Sequence, residues 1–173
     1  FDLLGTDVRA AIAIDLFAGT GALAFEALSR GAARAVMAER HFPTADGLRR
    51  SARALGVEGR VDVRPGDVLL WAKRMPSLPV TGRWVAFVSP PWSFFADRWA
   101  DLAALVAAVM AAAPSGSVVV VESDTSFDAA LLPEAAAWES RAVPPAVLHL
   151  WRRPEGAGVT PPSWTRETPP PAT

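Results

Sequence analysis

"AIDLFAGTGALAFEAL" occupies residues 13–28. An apolar run meets an acid, Asp15, then two glycines one residue apart, Gly19 and Gly21, then a helical pattern. The run extends over residues 11–17 with only Asp15 interrupting it, as in a strand covered on both faces. Beyond the turn, Leu23, Ala27 and Arg30 recur at helical spacing, and Gly31 supplies a stop. Strand, tight glycine turn and helix in that order open an α/β unit whose turn is shaped to hold a nucleotide-like ligand.

The flanking sequence continues the alternation. "ARAVMAE" (33–39), "RVDVRP" (60–65), "RWVAFV" (83–88) and "SVVVVE" (117–122) read as further strands. Between them lie an amphipathic helix over 43–56, opened by Pro43 and closed by Gly56, a short helix over 67–75 with Asp67 near its N-cap, and a long helix over 95–113 ended by Pro114. "WESRAV" (138–143) and "AVLHLWRR" (146–153) follow as two strands separated only by Pro144 and Pro145. Five strands alternating with helices, then two in succession, predict a doubly wound, Rossmann-like α/β fold. Its seven-stranded, mostly parallel sheet ends in a C-terminal antiparallel hairpin. We expect one domain over residues 1–153. Residues 154–173, rich in Pro, Gly and Thr, are expected to form a disordered tail.

Composition narrows the function. Cysteine is absent, which excludes disulfides, thiolate metal sites and a cysteine nucleophile. Two histidines, His41 and His149, are too few for a histidine metal site, and no metal is expected. The alanine-rich residues 102–113 are too short to span a bilayer, no signal peptide is visible, and the cytoplasm is the expected compartment. The chain opens on Phe1 rather than Met, so its native N-terminus is expected upstream. A net charge of −1 is not that of a strong nucleic-acid binder. Arg49, Arg50 and Arg53 cluster on one helix and Lys73 and Arg74 end another; on charge alone these read as solvated helix faces.

Two cofactor classes suit the glycine turn. "GTGALA" fits G-x-G-x-x-A through Gly19, Gly21 and Ala24, and Glu39 ends the next strand where an acid would take ribose hydroxyls. A nicotinamide dinucleotide therefore fits. Asp15 favours the other class: a carboxylate beside the helix N-terminus repels a pyrophosphate but welcomes a ligand carrying an ammonium and a sulfonium, such as S-adenosylmethionine. "VSPPW", Val88 to Trp92, ends the fourth strand, where a substrate would meet the cofactor.

"DLFAGTGALAFEALSRGA", "AER", "GDVLLW" and "FVSPPW" together resemble the class I methyltransferases that methylate exocyclic amines of nucleobases. The glycine motif and its helix are most similar to the bacterial small-subunit (16S) ribosomal RNA guanine-N2 methyltransferases, and the likeness spans roughly residues 1–153. The resemblance implies a class I methyltransferase fold, S-adenosylmethionine as cofactor, and ribosomal RNA or the small ribosomal subunit as partner. It places the methionine part of the cofactor on the turn of Asp15, Phe17, Ala18, Gly19, Thr20 and Gly21, the ribose on Glu39 and the adenine amine on Asp67. It places the target base on Ser89, Pro90, Pro91 and Trp92. The family usually has Asp at the position of Ser89 and Tyr at that of Trp92, and its acid two residues beyond the ribose-binding one is His41 here. It also carries a basic segment ahead of its first strand, where this chain opens at "FDLLGTD".

The tetrapeptide suits that chemistry. An exocyclic amine is a poor nucleophile because its lone pair is delocalised into the ring. Acceptors aimed at its N–H groups, the Ser89 hydroxyl and the Pro90 carbonyl, favour a pyramidal nitrogen. Two successive prolines make a stiff scaffold, and Trp92 offers a stacking face worth roughly 1–3 kcal/mol. Two alternatives remain at this level: a cofactor- or RNA-binding module without turnover, and, ranked lower, an NAD-dependent oxidoreductase, for which the chain lacks a Tyr-Lys pair because tyrosine is absent. The tail has too few apolar groups to offset its ordering entropy. Deleting residues 156–173 is therefore expected to leave the calorimetric melting temperature unchanged; a fall of several degrees would show that the tail docks.

Overall fold

Ile12–Asp15 (β1) and Trp84–Val88 (β4) are buried at every position, which fixes them as the middle of a sheet covered on both faces. A computed structural model describes residues 1–71, 73, 78–79 and 81–156. The other strands are Arg34–Glu39 (β2), Val61–Pro65 (β3), Val118–Asp124 (β5), Trp138–Val143 (β6) and Ala146–Arg152 (β7). Their order is β3-β2-β1-β4-β5-β7-β6. The first five are parallel, and β7 pairs antiparallel with both β5 and β6. The hairpin predicted from sequence is present, with its second strand, not its first, lying against the parallel sheet.

Two apolar layers hold the sheet. Ala22–Ser29 (α1) contributes Ala24, Ala27 and Leu28 to one face, and Phe42–Ala54 (α2) adds Leu48 there beside Ala13, Met37 and Phe87. Trp99–Ala112 (α4) covers the other face with Leu102, Leu105, Val106 and Val109 against Ile14, Val36 and Val119. The main chain of Trp84 is tied across to β5, its N–H donating to Ser117 Oγ at 2.8 Å. β6, at the open edge, is exposed along almost its whole length, and Arg141 pairs with Glu139 there. Such charges discourage edge-to-edge pairing with another sheet. Among the described residues no helix is long and apolar enough to cross a membrane.

Two helices differ from expectation. The long helix is broken at Arg98 (φ −137°, ψ 28°) into Ser93–Asp97 (α3) and α4. The break separates a short segment anchored on the proline pair, with Phe94 N–H donating to Pro91 O, from the segment that packs along the sheet. The predicted helix over 67–75 is only a 3₁₀ turn, Val68–Leu70, capped by Asp67, which accepts from Leu69 N–H at 3.0 Å. Residues 72, 74 and 75 of that stretch lie outside the described residues, as does the tail beyond residue 156. Further 3₁₀ turns at Gly5–Val8, Glu58–Arg60, Ala129–Leu131 and Ala135–Ala137 carry no apolar period long enough to read from sequence.

His149 on β7 is 2% exposed and fully hydrogen-bonded. Ser123 Oγ donates its proton to the Asp124 carbonyl. The Nε2 of His149, 2.9 Å from Ser123 Oγ, must therefore carry the imidazole proton, and Nδ1 accepts from Ser140 Oγ at 2.7 Å. Burial pushes the imidazole pKa below its ordinary 6.5. The unfolded chain then takes up a proton that the folded chain refuses, so His149 costs stability as pH falls through about 6.5. Denaturant midpoints for wild type and His149→Gln between pH 8 and pH 5 test this: the wild type should lose ground to the variant on acidification, and a constant difference would refute it.

Candidate functional site

The strand order reverses between β1 and β4: the chain leaves β1 toward β2 on one side and β4 toward β5 on the other. Loops diverging from the C-terminal ends of such a pair leave a crevice between them. Here the crevice is a cleft of about 370 Å³, in the range of small-molecule sites. Phe17 and Gly19 from the turn after β1 line it, with Glu39 and Arg40 from the end of β2, Gly66 and Asp67 from the end of β3, and Ser89, Pro90 and Pro91 from the end of β4. Phe94 of α3 completes the wall.

The glycine turn is held by a carboxylate. Glu39 Oε2 accepts from Gly19 N–H at 2.9 Å and Oε1 accepts from His41 N–H at 2.8 Å. Each oxygen keeps a further lone pair for a ligand. Gly19 has φ +51°, and a Cβ there would meet only Phe17 O, at 3.9 Å, so its side is open. Gly21 caps α1 at φ +81°, and a Cβ there would come within 2.6 Å of Leu48 Cδ2 and Phe25 Cε2. One glycine keeps room and the other allows close packing. Asp67 receives Leu69 N–H and lies 3.7 Å from Arg98 Nη1. The guanidiniums of Arg40 and Arg98 stand 5.8 and 5.5 Å from the Phe94 ring centre, within cation–π reach.

Of the residues singled out from sequence, the fold gathers Phe17, Gly19, Glu39, Asp67, Ser89, Pro90 and Pro91 around this one cleft. Asp15, Ala18, Thr20, Gly21 and Trp92 do not line it. Thr20 faces a separate surface depression with Thr44 and Arg50, and Trp92 is 39% exposed at the start of α3. Arg40, Phe94 and Glu122 went unnoticed in sequence. Glu122 accepts from Ser89 Oγ at 2.5 Å. Its signal was present in the acid that ends the valine strand beside "VSPP", once Val88 is known to pair with Val121.

Asp15 ends β1 beneath the turn, 1% exposed. Among the described residues neither of its carboxylate oxygens has a hydrogen-bond partner. Burial raises its pKa from 3.8 to about 7; the main-chain N–H groups of Phe17 and Ala24, which face the carboxyl without reaching hydrogen-bond geometry, offset part of the rise, and the charge of Glu39 adds to it.

A family model described as "Conserved hypothetical protein 95" matches residues 1–142. No curated protein matches the chain. Among solved structures, the Escherichia coli protein yhhF superposes with a TM-score of 0.69 at 22% identity, over 90% of this chain and 82% of its own. A conserved hypothetical protein of Streptococcus pyogenes gives 0.69 at 22% identity, over 88% and 92%. An RNA methyltransferase from Salinibacter ruber, in complex with S-adenosyl-L-homocysteine, gives 0.63 at 20% identity, over 91% of each chain. At these identities the likeness speaks for the fold, which is that of the class I methyltransferases.

The raised pKa of Asp15 sets its contribution to stability. Between about pH 4 and pH 7 the folded state holds a proton that the unfolded state has lost, so stability falls as pH rises, by on the order of 4 kcal/mol across the window. Asp15→Asn should therefore raise the melting temperature of the ligand-free protein at pH 8, with the gain shrinking as pH falls toward 4. A gain independent of pH would contradict the raised pKa.

Proposed function

The chain belongs to the Conserved hypothetical protein 95 family, and from that premise we propose that it is an S-adenosylmethionine-dependent RNA methyltransferase. Its target is an exocyclic amine of a nucleobase, with guanine N2 of small-subunit ribosomal RNA as the specific assignment. One observation carries the reading: the glycine turn, the two acids Glu39 and Asp67, and the Ser89–Pro90–Pro91 segment, separate in sequence, line the same cleft at the point where the strand order reverses. The RNA methyltransferase of Salinibacter ruber with bound S-adenosyl-L-homocysteine shares the fold and supports the choice of cofactor and substrate class.

The residues present fit that cofactor. A buried carboxyl without a partner suits a ligand bearing positive charge, and Asp15 lies beneath the turn that would hold the methionine part. Gly19 leaves the space beside the turn open. Glu39 would take the ribose hydroxyls, and Asp67, already oriented by its cap to Leu69, the adenine amine. When bound, S-adenosylmethionine would supply an electrophilic methyl group on a positively charged sulfur, the carbon–sulfur bond breaking as the nitrogen–carbon bond forms and leaving a neutral thioether.

The chain's own residues do the rest. The carbonyls of Pro91 and Trp92 receive Phe94 and Phe95 N–H and start α3, which fixes the direction of the proline pair. Ser89 and Pro90, held by that rigid segment, accept from the amine N–H groups and orient its lone pair. Trp92, outside the cleft and exposed, offers its ring to a base turned out of its stack.

Titration calorimetry tests the cofactor assignment. Charge-assisted bonds to ribose are worth about 1.5–3 kcal/mol each, so Glu39→Ala should weaken S-adenosylmethionine binding at least about tenfold with cooperative unfolding retained. In the wild type, affinity should rise with pH through about 7, as Asp15 becomes ionised without cost to the ligand. Tritiated methyl transfer to undermethylated small ribosomal subunits and to their naked RNA tests the activity. Unchanged affinity in Glu39→Ala, or methyl transfer to neither substrate, would refute the corresponding half of the assignment.

A further inference from the structure

In the ribosomal RNA methyltransferases that the sequence resembles, the position of Ser89 is usually Asp, and a neutral hydroxyl is the weaker acceptor. The fold answers this from the neighbouring strand. β4 and β5 run parallel with Val88 beside Val121, so the next residue on each strand, Ser89 and Glu122, come side by side. Ser89 Oγ donates to Glu122 Oε2 at 2.5 Å, in the short range of bonds to an ionised acceptor. Ser89 lines the cleft described above. It also lines a second, apolar pocket, where Glu122 is found among Phe87, Leu23, Leu148 and Phe1. Glu122 itself is not part of the cleft wall.

We propose that Ser89 and Glu122 act as a coupled pair, with Glu122 the positioning residue that supplies through Ser89 the charge an aspartate would supply directly. This rests on the methyltransferase reading above. The hydroxyl proton of Ser89 is committed to Glu122, so the lone pairs of Oγ are left as acceptors for the target amine. A serine free to rotate would present its proton to that amine part of the time. The carboxylate also polarises the hydroxyl and makes its oxygen a stronger acceptor. At the end of the transfer the new nitrogen–carbon bond leaves the amine with one proton too many. Ser89 Oγ takes that proton as its own passes to Glu122, which later releases it to solvent. No charge is stranded, because a carboxylate becomes a carboxylic acid as the alkylated nitrogen becomes neutral. Apolar neighbours of Glu122 strengthen the bond by lowering the local dielectric.

The test combines a double-mutant cycle with a probe that needs no turnover. The variants are Ser89→Ala, Glu122→Gln, the two together, and Ser89→Asp combined with Glu122→Gln. Each is titrated with S-adenosyl-L-homocysteine and then, in its presence, with 2-aminopurine riboside and with purine riboside, which lacks the amine. Single-turnover methyl transfer to small-subunit ribosomal RNA is measured in parallel. Glu122→Gln should leave S-adenosyl-L-homocysteine and purine riboside affinities unchanged, while 2-aminopurine riboside binding and the transfer rate each fall about tenfold, the difference between a charge-assisted and a neutral bond. Adding Ser89→Ala should cost nothing further than Ser89→Ala alone, and Ser89→Asp should restore the Glu122→Gln protein. Additive losses, an equal loss for the amine-free riboside, or failure of the aspartate to rescue would mean that Glu122 only secures the end of β5, and would overturn the pairing while leaving the enzyme assignment intact. A wild type that neither binds S-adenosyl-L-homocysteine nor transfers a methyl group would instead remove the assignment, and the pairing with it.

Discussion

The reversal of strand order between β1 and β4 is the constraint on which the rest of the molecule depends. Parallel strands deliver every C-terminal end to the same edge of the sheet, and the reversal sends the loops of the two central strands apart. The polar residues assigned to the ligand, with the glycine turn, sit at such ends: Gly19 after β1, Glu39 closing β2, Asp67 after β3, Ser89 after β4. Glu39 then binds neighbouring ends together, because its carboxylate accepts the amide of Gly19 across the gap from β2 to the β1 turn. The burial of β1 and β4 on both faces makes this edge stiff. A rigid frame with variable ends is what a positioning site requires.

The parts that were legible in sequence are those whose signals are local. An apolar run, two glycines and a helical stripe lie within residues 11–31, and the backbone needs are met within a few residues of each glycine. Pro43 at the first turn of α2 and the glycine at residue 56 bounded that helix within two residues. Apolar periodicity carried the reading too far over 95–113, because it runs unbroken through Arg98 while the direction of α3 is set by main-chain bonds to Pro91 and Trp92. The stretch after Asp67 failed for a related reason: a cap marks where a turn starts and says nothing of how soon it stops. Glu122 was hidden differently. It is 33 residues from Ser89, and only the register of β4 against β5 brings them together.

The buried ionisable groups share one logic. His149 is satisfied on both ring nitrogens and serves to fasten β5, β6 and β7 across the sheet. Among the described residues neither oxygen of Asp15 reaches hydrogen-bond geometry, even with the Phe17 and Ala24 amides that face it, although it occupies the centre of the same sheet. A hydrogen-bonded buried group holds a fold together, whereas an orphaned carboxyl weakens the empty protein. Tolerance of that weakness at the foot of the glycine turn is the local inconsistency that marks a site built for something other than stability.

The position of β7 matters before the molecule is complete. β5 opens with four buried valines, Val118 to Val121, and its outer edge is covered by β7, the last strand among the described residues. During synthesis the parallel half of the sheet is available to fold once β5 has emerged, but that edge stays bare until β7 has emerged as well. A chain truncated within residues 125–145 would expose Val118 to Val121 with free main-chain donors and acceptors along that edge. Truncation in this interval therefore carries a hazard of aggregation, and a chain that stops short of β7 would be expected to partner with other copies of itself rather than remain as a smaller working domain.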